Sequence, residues 1–391
     1  MRNRRYRDTV LALCTLAFFV TMVGRLAISP VVPTVTAEFG VSNAVIGTAL
    51  SGMWLAYALT QFPSGILADR YGERLVILVS VGGTGLVSLG LAFSPHFAVF
   101  LVGTVLLGGA AGLHYSVATT FLTRIYDDVG TAVGIHNGGA PVAGLLTPVA
   151  VAWVAARYGW RPAIAVGAFI AVPTFVLFAR YVRPTEPRKP DRSMREQIDP
   201  GALLDIVTRP SIVFSSAIAI LADFTWQALA SFLPTFLIEH HGHSTALAST
   251  FFAAYFVVQG VLQIGVGALS DRYGRDLATG VCLLSGIGGI GVLVGGSGLL
   301  AVSAGILLLG LSMGWGAAVI PRVMDHLTAE ERGTAFGFVR TAYMIVASTG
   351  SIVVGLFADR FGWGTSFLLL GGLMALGVAL LVGNRVLGAD L

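Results

Sequence analysis

A short charged segment occurs twice in this chain, once in each half, and each copy follows a long apolar run. The first copy reads QFPSGILADRYG over residues 61–72, and the second reads QIGVGALSDRYG over residues 263–274. The copies lie 202 positions apart, and the match of Tyr158-Gly159-Trp160 with Phe361-Gly362-Trp363 keeps nearly the same offset. The sequence therefore predicts two repeats with the same order of elements and the same orientation.

The composition indicates that both repeats lie in a membrane. Hydrophobic residues make up 55% of the 391 residues and charged residues 11%, and the mean hydropathy is +0.82; a soluble domain has about 25% charged residues. A spanning helix needs roughly 20 mostly apolar residues. Twelve runs qualify, at about 9–30, 43–66, 75–94, 97–122, 131–155, 161–182, 211–238, 245–268, 277–295, 299–321, 334–357 and 364–384. Barrel strands are far shorter, so we expect an all-α membrane protein with two pseudo-symmetric six-helix bundles.

The basic residues predict the orientation. With the N-terminus inside, 19 of the 24 Lys and Arg residues fall in cytoplasmic segments and three in outer loops. We therefore expect both termini in the cytoplasm, and we interpret the net charge as a topology signal rather than as a nucleic-acid footprint. The predicted organisation is a bundle over 1–182, a cytoplasmic linker over 183–210 and a second bundle over 211–391. Ser193 and Glu196 have capping-box spacing, which allows a short surface helix in the linker.

The repeated segment resembles the signature loop of the major facilitator superfamily. The matching residues are Gly65, Asp69, Arg70, Gly72 and Arg74 in the first copy and Gly267, Asp271, Arg272 and Gly274 in the second. The resemblance covers essentially the whole chain and implies a secondary transporter whose halves rock about a site at the membrane midplane. We expect both loops to act in cytoplasmic gating, since their aspartates can pair with arginine or face a helix N-terminus. The alternative to gating is that the Asp-Arg pairs only order a surface turn. Gly65 and Gly267 have no side chain, so we expect a neighbouring helix to approach closely at each of them.

Arg25 is the sharpest candidate for substrate binding, because it lies inside the first apolar run. The text from Arg25 to Gly72 resembles the anion:cation symporter branch, which has an arginine here and a tyrosine near Tyr57. The resemblance implies that Arg25 binds a carboxylate or phosphate, which a planar guanidinium suits. The alternative is that Arg25 snorkels to water. The acidic residues of that branch are missing at Gly24 and in segment 108–116, so its proton-coupling mechanism cannot be transferred.

Few other ionisable residues fall inside the predicted spans. Asp223 is the one acidic residue in the middle of a span, and a charge there costs roughly 2.5–3.5 kcal/mol on insertion scales, so it should face the bundle interior. We expect Asp223 or His114 to carry the coupling proton, since histidine titrates near physiological pH. The alternative for Asp223 is a structural ion pair with Arg25 or Arg340. The alternative for His114 is a neutral histidine that is hydrogen-bonded between helices, and His136 is a further buried candidate. The remaining substrate-contact candidates are Tyr57, Trp226, Gln227 and Arg340, the last of which either lines the cavity or closes the cytoplasmic gate.

The sequence thus predicts a transporter rather than an enzyme, because the intramembrane ionisable groups are few and scattered. The expected substrate is a small organic anion carried with protons, by a monomer without cofactors. No GxxxxGK[ST] sequence is present, so ATP drive is not expected. Glycines and a proline over 134–144 partly resemble drug:proton antiporters, so a proton-driven exporter of amphipathic compounds is the alternative. His240, His241 and His243 are interpreted as a solvated outer loop rather than as a metal site.

Overall fold

A computed structural model describes residues 2–188, 190, 200–328, 331 and 334–388 of this chain. Every regular element in these ranges is helical, which confirms the all-α prediction. Ten helical segments among the described residues are long and apolar enough to cross a membrane. The surface helix predicted near Ser193 and Glu196 lies outside the described residues.

One compact unit, called unit 1 below, comprises the described residues of Met1–Val41 and Gly52–Asp199. A single 3-10 turn over Ser29–Val31 separates its first two helices. Pro30 and Pro33 lie at this junction, where a residue without a backbone N–H is tolerated at a helix start. The helices of this part of the chain are α1 (Arg2–Leu26), α2 (Val32–Phe39), α3 (Asn43–Tyr71), α4 (Glu73–Ala92), α5 (Phe97–Gly112), α6 (Tyr115–Ile125), α7 (Val129–Asn137), α8 (Gly139–Tyr158) and α9 (Trp160–Tyr181).

Two of the predicted spans in unit 1 are interrupted rather than continuous. The break between α5 and α6 falls at Leu113 and His114, whose backbone N–H groups donate to carbonyls three residues earlier at 3.4 and 3.3 Å. The break between α7 and α8 falls at Gly138, whose N–H is shared between the carbonyls of Gly134 and Ile135, both at 3.1 Å. Such bonds tighten the helix into a 3-10 turn. The spans predicted over 97–122 and 131–155 correspond to the apolar segments Phe97–Ile125 and Val129–Tyr158, and each contains one tightened turn that mean hydropathy does not detect.

Close backbone packing in unit 1 occurs between α5 and α3. A Cβ added at Gly108 would lie 2.0 Å from the Met53 carbonyl oxygen, and one at Gly112 would lie 2.5 Å from the Tyr57 carbonyl oxygen. This contact fixes the height of Tyr57 in the unit. The close approach predicted at Gly65 is absent, since a Cβ there would meet no described atom within 4 Å. The packing face of α3 is thus the one that carries Met53 and Tyr57.

The second compact unit, unit 2, comprises Ser42–Ser51 and the described residues of Pro200–Leu391. Its remaining helices are α10 (Pro200–Thr208), α11 (Pro210–Glu239), α12 (Thr245–Tyr273), α13 (Arg275–Gly295), α14 (Gly298–Ser312), α15 (Gly316–Asp325), α16 (Thr334–Ala347) and α17 (Gly350–Leu387). Within α17, Gly362 has φ 79° and ψ 165°, which are not helical, so the 38 residues form two helical segments. The prediction did not include α10, which lies inside the expected linker. At Gly267, a Cβ would make only an ordinary contact of 3.9 Å with Ala317, so the close approach predicted there is also absent.

Glycines with positive φ recur at matching places in the two repeats. Gly72 precedes α4 with φ 83°, and Gly274 precedes α13 with φ 98°. A residue with a side chain rarely adopts this backbone conformation, so glycine is needed where the charged segment turns into the next helix. The other two pairs are Gly40 with Gly242 and Gly159 with Gly362. The repetition seen in the sequence therefore extends to the backbone dihedral angles.

Candidate functional site

Arg25 lies in the last turn of α1 and is buried, with 3% of its surface exposed. Its Nε donates to the Thr21 carbonyl at 3.1 Å, and its Nη2 lies 2.8 Å from the Met22 sulfur. The guanidinium carbon lies 4.0 Å from the centre of the Tyr57 ring and 5.3 Å from that of Trp54. A side chain that reaches water would be far more exposed, so this placement does not support snorkelling.

The surroundings of Arg25 explain how unit 1 accommodates a buried cation. Its position at the C-terminal end of α1 lets the helix dipole favour positive charge. The aromatic faces of Tyr57 and Trp54 add an attraction of about 2 kcal/mol when the cation is desolvated. The N–H groups of a guanidinium point outward in its plane, so a carboxylate or sulfonate can be bound by two parallel hydrogen bonds while the face stays on the ring. This geometry suits recognition of an anion.

His114 and His136 lie together in unit 1, on either side of the two helix breaks. Their ring centres are 5.4 Å apart, and the Phe18 ring lies 5.9 Å from the first and 5.1 Å from the second. Both histidines are fully buried. Sequence reasoning named His114 as a proton carrier but assigned no role to His136, because no sequence pattern indicates that the two rings meet.

In unit 2, the predicted acidic residue and the predicted ligand contacts lie on one stretch of α11. Asp223 is 7% exposed, and Gln227 donates from Nε2 to its Oδ2 at 2.7 Å. Arg340 on α16 lies close enough to interact electrostatically with Asp223. Trp226 donates from Nε1 to the Gln259 side chain at 3.4 Å. Unit 2 thus brings Asp223 and Gln227 into direct contact, and Arg340 lies on α16, which packs against α11.

Arg188 and Arg124 hold the end of the first charged segment and the start of α4. The backbone N–H of Arg188 donates to the Asp69 carbonyl at 2.8 Å, and its Nε lies 3.4 Å from the Asp69 carboxylate. Arg188 also pairs with Glu73 at 3.0 Å, and Arg124 pairs with the same carboxylate. The Glu73 side chain is 1% exposed, so these two arginines neutralise an almost fully buried charge.

Arg74 and Gly72 make further contacts with the segment that follows α9. Arg74 donates from Nε to the Val182 carbonyl at 2.8 Å and from Nη2 to the Ala179 carbonyl at 2.6 Å. A Cβ added at Gly72 would lie 2.4 Å from the Thr185 carbonyl oxygen. The turn between α3 and α4 therefore packs directly on the chain that leaves α9.

The second copy forms a comparable set of ion pairs in unit 2. Asp271 pairs with Arg275, whose Nε also lies 3.1 Å from the Asp325 carboxylate. Arg70 of the first copy and Arg272 of the second lie over the tyrosine that follows each of them, at 5.4 and 5.2 Å from the ring centre. The structure therefore places both aspartates in arginine pairs, and their role in gating stays a prediction.

The loop that follows α11 carries His240, His241 and His243. Among the described residues, no group of three or more His, Cys, Asp and Glu side chains is placed to hold a metal ion. His241 is half-buried, and its Nε2 lies 2.8 Å from the Leu293 carbonyl oxygen. Burial lowers the pKa of His241, and the backbone contact acts in the opposite direction. This loop is therefore partly packed rather than simply solvated.

Comparison with known proteins agrees with this fold. The family model of the Major Facilitator Superfamily matches residues 14–247 and 215–387. The chain is 22% identical to the hexuronate transporter of Bacillus subtilis (strain 168), over 92% of this chain and 90% of that protein. It is 25% identical to the probable sulfoacetate transporter of Cupriavidus necator, over 100% of this chain and 97% of that protein. The inward-facing, unoccupied crystal structure of a bacterial homologue of the human lysosomal transporter Spinster superimposes with a TM-score of 0.81 at 17% identity, covering 96% of both chains. The chain belongs to the Major Facilitator Superfamily and is a multi-pass transporter of the cell membrane, not an enzyme.

Proposed function

We propose that this transporter carries a small organic anion together with protons, by alternating access. The observation that carries the proposal is Arg25, a buried cation held between the end of α1 and two aromatic rings. A buried charge without a functional reason is rare in a membrane span. The two relatives named above are a hexuronate and a probable sulfoacetate transporter, and both named substrates carry a carboxylate. Arg25 is the group that would bind such a carboxylate, with Tyr57 supporting it.

We further propose twelve spans with both termini in the cytoplasm. The helix α3 has 29 residues, so it extends over roughly 40 Å and exceeds the roughly 30 Å hydrocarbon core. It is absent from the ten apolar segments because it contains polar residues such as Thr60 and Gln61. The tenth segment, Ala335–Leu387, has 53 residues and includes the non-helical Gly362, so it accommodates two spans. We propose that these spans form two bundles, over 1–182 and 211–391, with 183–210 as the linker.

The charged segments are proposed to act in gating. Each contains an aspartate paired with an arginine. The Asp271 side chain is 75% exposed, so its pair with Arg275 is weak and can break and reform without a large barrier. In unit 2, Gln227, Trp226 and Arg340 are proposed to contact the ligand. Asp223 of unit 2 or His114 of unit 1 is proposed to carry the proton.

Proton-coupled anion transport can be tested in proteoliposomes that contain a trapped pH-sensitive dye. D-glucuronate and sulfoacetate serve as probes, and three variants are compared with the unmodified protein: Arg25→Ala, Arg25→Lys and Arg157→Ala. The last is a matched control, because Arg157 also lies over an aromatic ring, 4.2 Å from the centre of Trp153, but is exposed. We expect either probe to drive proton entry that Arg25→Ala abolishes, Arg25→Lys weakens and Arg157→Ala leaves unchanged. Proton entry that persists in Arg25→Ala would refute the role of Arg25.

A proton-driven exporter of amphipathic compounds is the second candidate, favoured by the buried carboxylate of Asp223. The glycines of α7 and α8 support it less, since a Cβ at Gly139 would lie 2.8 Å from the Thr15 carbonyl oxygen and close packing already accounts for this glycine. Cationic dyes added to the same liposomes discriminate the two functions. Proton movement that occurs only with the dyes, is unaffected by Arg25→Ala and is lost in Asp223→Asn would establish the exporter.

A further inference from the structure

His114 and His136 are two buried imidazoles whose ring nitrogens are not hydrogen-bonded within the described part of the chain. Neither nitrogen of either ring has a hydrogen-bond partner of normal geometry among the described residues. The Cys14 backbone interacts with both rings, and Phe18 covers one side of each. Buried polar atoms are paired in the large majority of cases, and each unpaired one costs about 1–3 kcal/mol. Two adjacent rings in this state indicate that something binds between or beside them.

The position of the pair in the fold also points to a binding function. His114 directly precedes α6, and His136 lies one residue before the end of α7, so both flank the interruptions at Leu113–His114 and Gly138. Interrupted helices are the places where membrane transporters expose backbone and side-chain groups to substrates and coupling ions.

The charges around the pair restrict what it can bind. The Tyr115 ring centre on α6 lies 6.1 Å from that of His136, while on α1 the Cys14 backbone interacts with both rings and Arg25 acts on His114 electrostatically. No carboxylate among the described residues contributes to the electrostatics of either ring. A metal ion would need a third ligand, and no such group of three exists in the described part of the chain. A single proton needs only one acceptor nitrogen, and a second proton on the pair is opposed by the first because the ring centres lie 5.4 Å apart.

We propose that His114 and His136 together bind one proton, on either ring, and that this is the proton transported with the anion. Arg25 lies about two helical turns beyond Phe18 on α1, and Phe18 contacts both rings, so the Arg25 charge opposes positive charge on the pair. An anion bound to Arg25 cancels this repulsion, so anion and proton each strengthen the binding of the other. The linkage uses groups of unit 1 alone and assigns the proton to the histidine pair rather than to Asp223. It rests on the proposed function, because it assumes that the anion binds at Arg25.

The shared proton can be tested without any transport. The full-length protein is labelled with ¹⁵N-histidine in lipid nanodiscs, and its ring signals are followed by NMR from about pH 4 to pH 9. His114→Asn, His136→Asn and the exposed control His96→Asn assign the signals. We expect His114→Asn to shift the titration of His136, and His136→Asn to shift that of His114, while His96→Asn shifts neither. A His136 titration that is unchanged by His114→Asn would refute the shared proton.

The link to transport is tested with D-glucuronate and sulfoacetate. We expect His136→Asn to retain exchange of labelled anion across the membrane but to lose proton-driven accumulation by roughly tenfold or more. Coupling that survives in His136→Asn and is lost only in Asp223→Asn would overturn the assignment of the proton. If neither probe moves protons through the unmodified protein, the proposed function with these anions fails, whereas the NMR titration still decides whether the pair shares a proton.

Discussion

The interaction between Arg25 and Tyr57 gives a quantitative prediction for anion binding. Tyr57 is 5% exposed, and the guanidinium carbon lies 4.0 Å from its ring centre, so the pair is desolvated and worth about 2 kcal/mol. The Trp54 ring is more distant, at 5.3 Å, and replaces part of the interaction when Tyr57 is removed. Removal of the ring lets the guanidinium leave the position in which it binds the anion, and restoring that position costs up to about 2 kcal/mol. Because 1.4 kcal/mol corresponds to tenfold in affinity, Tyr57→Leu should weaken anion binding by up to about 30-fold.

The control is Tyr57→Phe, which keeps the ring face and removes only the hydroxyl. If the ring alone supports Arg25, this variant should lose about twofold or less in affinity. The assay is the concentration dependence of proton entry into proteoliposomes, with the anion that drives it in the unmodified protein. Equal affinities for Tyr57→Leu and the unmodified protein would refute the idea that the ring supports the guanidinium. A loss in Tyr57→Phe as large as that in Tyr57→Leu would show instead that the hydroxyl bonds the substrate.

Three further predictions concern stability, measured by thermal unfolding in detergent. Gly72→Ala should destabilise the protein by about 1–3 kcal/mol, because Gly72 has a positive φ and a Cβ there would meet a carbonyl oxygen. Gly65→Ala is the control and should be neutral or slightly stabilising. A lower stability of Gly65→Ala would contradict the open space around Gly65. Glu73→Gln should cost about 1–3 kcal/mol, because its side chain is 1% exposed and accepts from two arginines; an unchanged melting temperature would refute this. Hydrogen bonds from Arg209 lower the pKa of Glu331 from 4.5 to about 2, so its stabilising effect is complete above about pH 4.5 and disappears as the pH falls to about 2. The melting temperatures of Glu331→Gln and the unmodified protein should therefore converge over that range, and a constant difference would show that the ion pair is not responsible.

The sequence was sufficient for the fold class, because the information lies in local composition and in the repeated segment. Long apolar runs can only be helices in a membrane, and the duplicated loop predicts the family. Arg25 was identifiable for a similar reason, since a charge in an apolar run stands out without knowledge of its neighbours.

The histidine pair and the helix breaks could not be predicted in this way. His114 and His136 come from different helices, and their significance arises from a separation of 5.4 Å that no local pattern records. The breaks at Leu113 and Gly138 involve one altered turn each, which average hydropathy does not detect. The prediction of a close helix approach at Gly65 was wrong. The sequence shows that a glycine is present, but it does not show which face of the helix the glycine occupies.

The matched glycine turns set a rule for insertions and deletions in this chain. From Gly40 to Gly72, and from Gly242 to Gly274, the separation is 32 residues in both repeats. One added residue inside α3 or α12 would rotate everything beyond it by about 100° and turn a packing face towards lipid. The same residue added outside a helix would leave every face in place. Length variation among relatives should therefore be concentrated outside these two intervals, and a chimaera that exchanges one interval for the other would preserve the phase of both flanking helices.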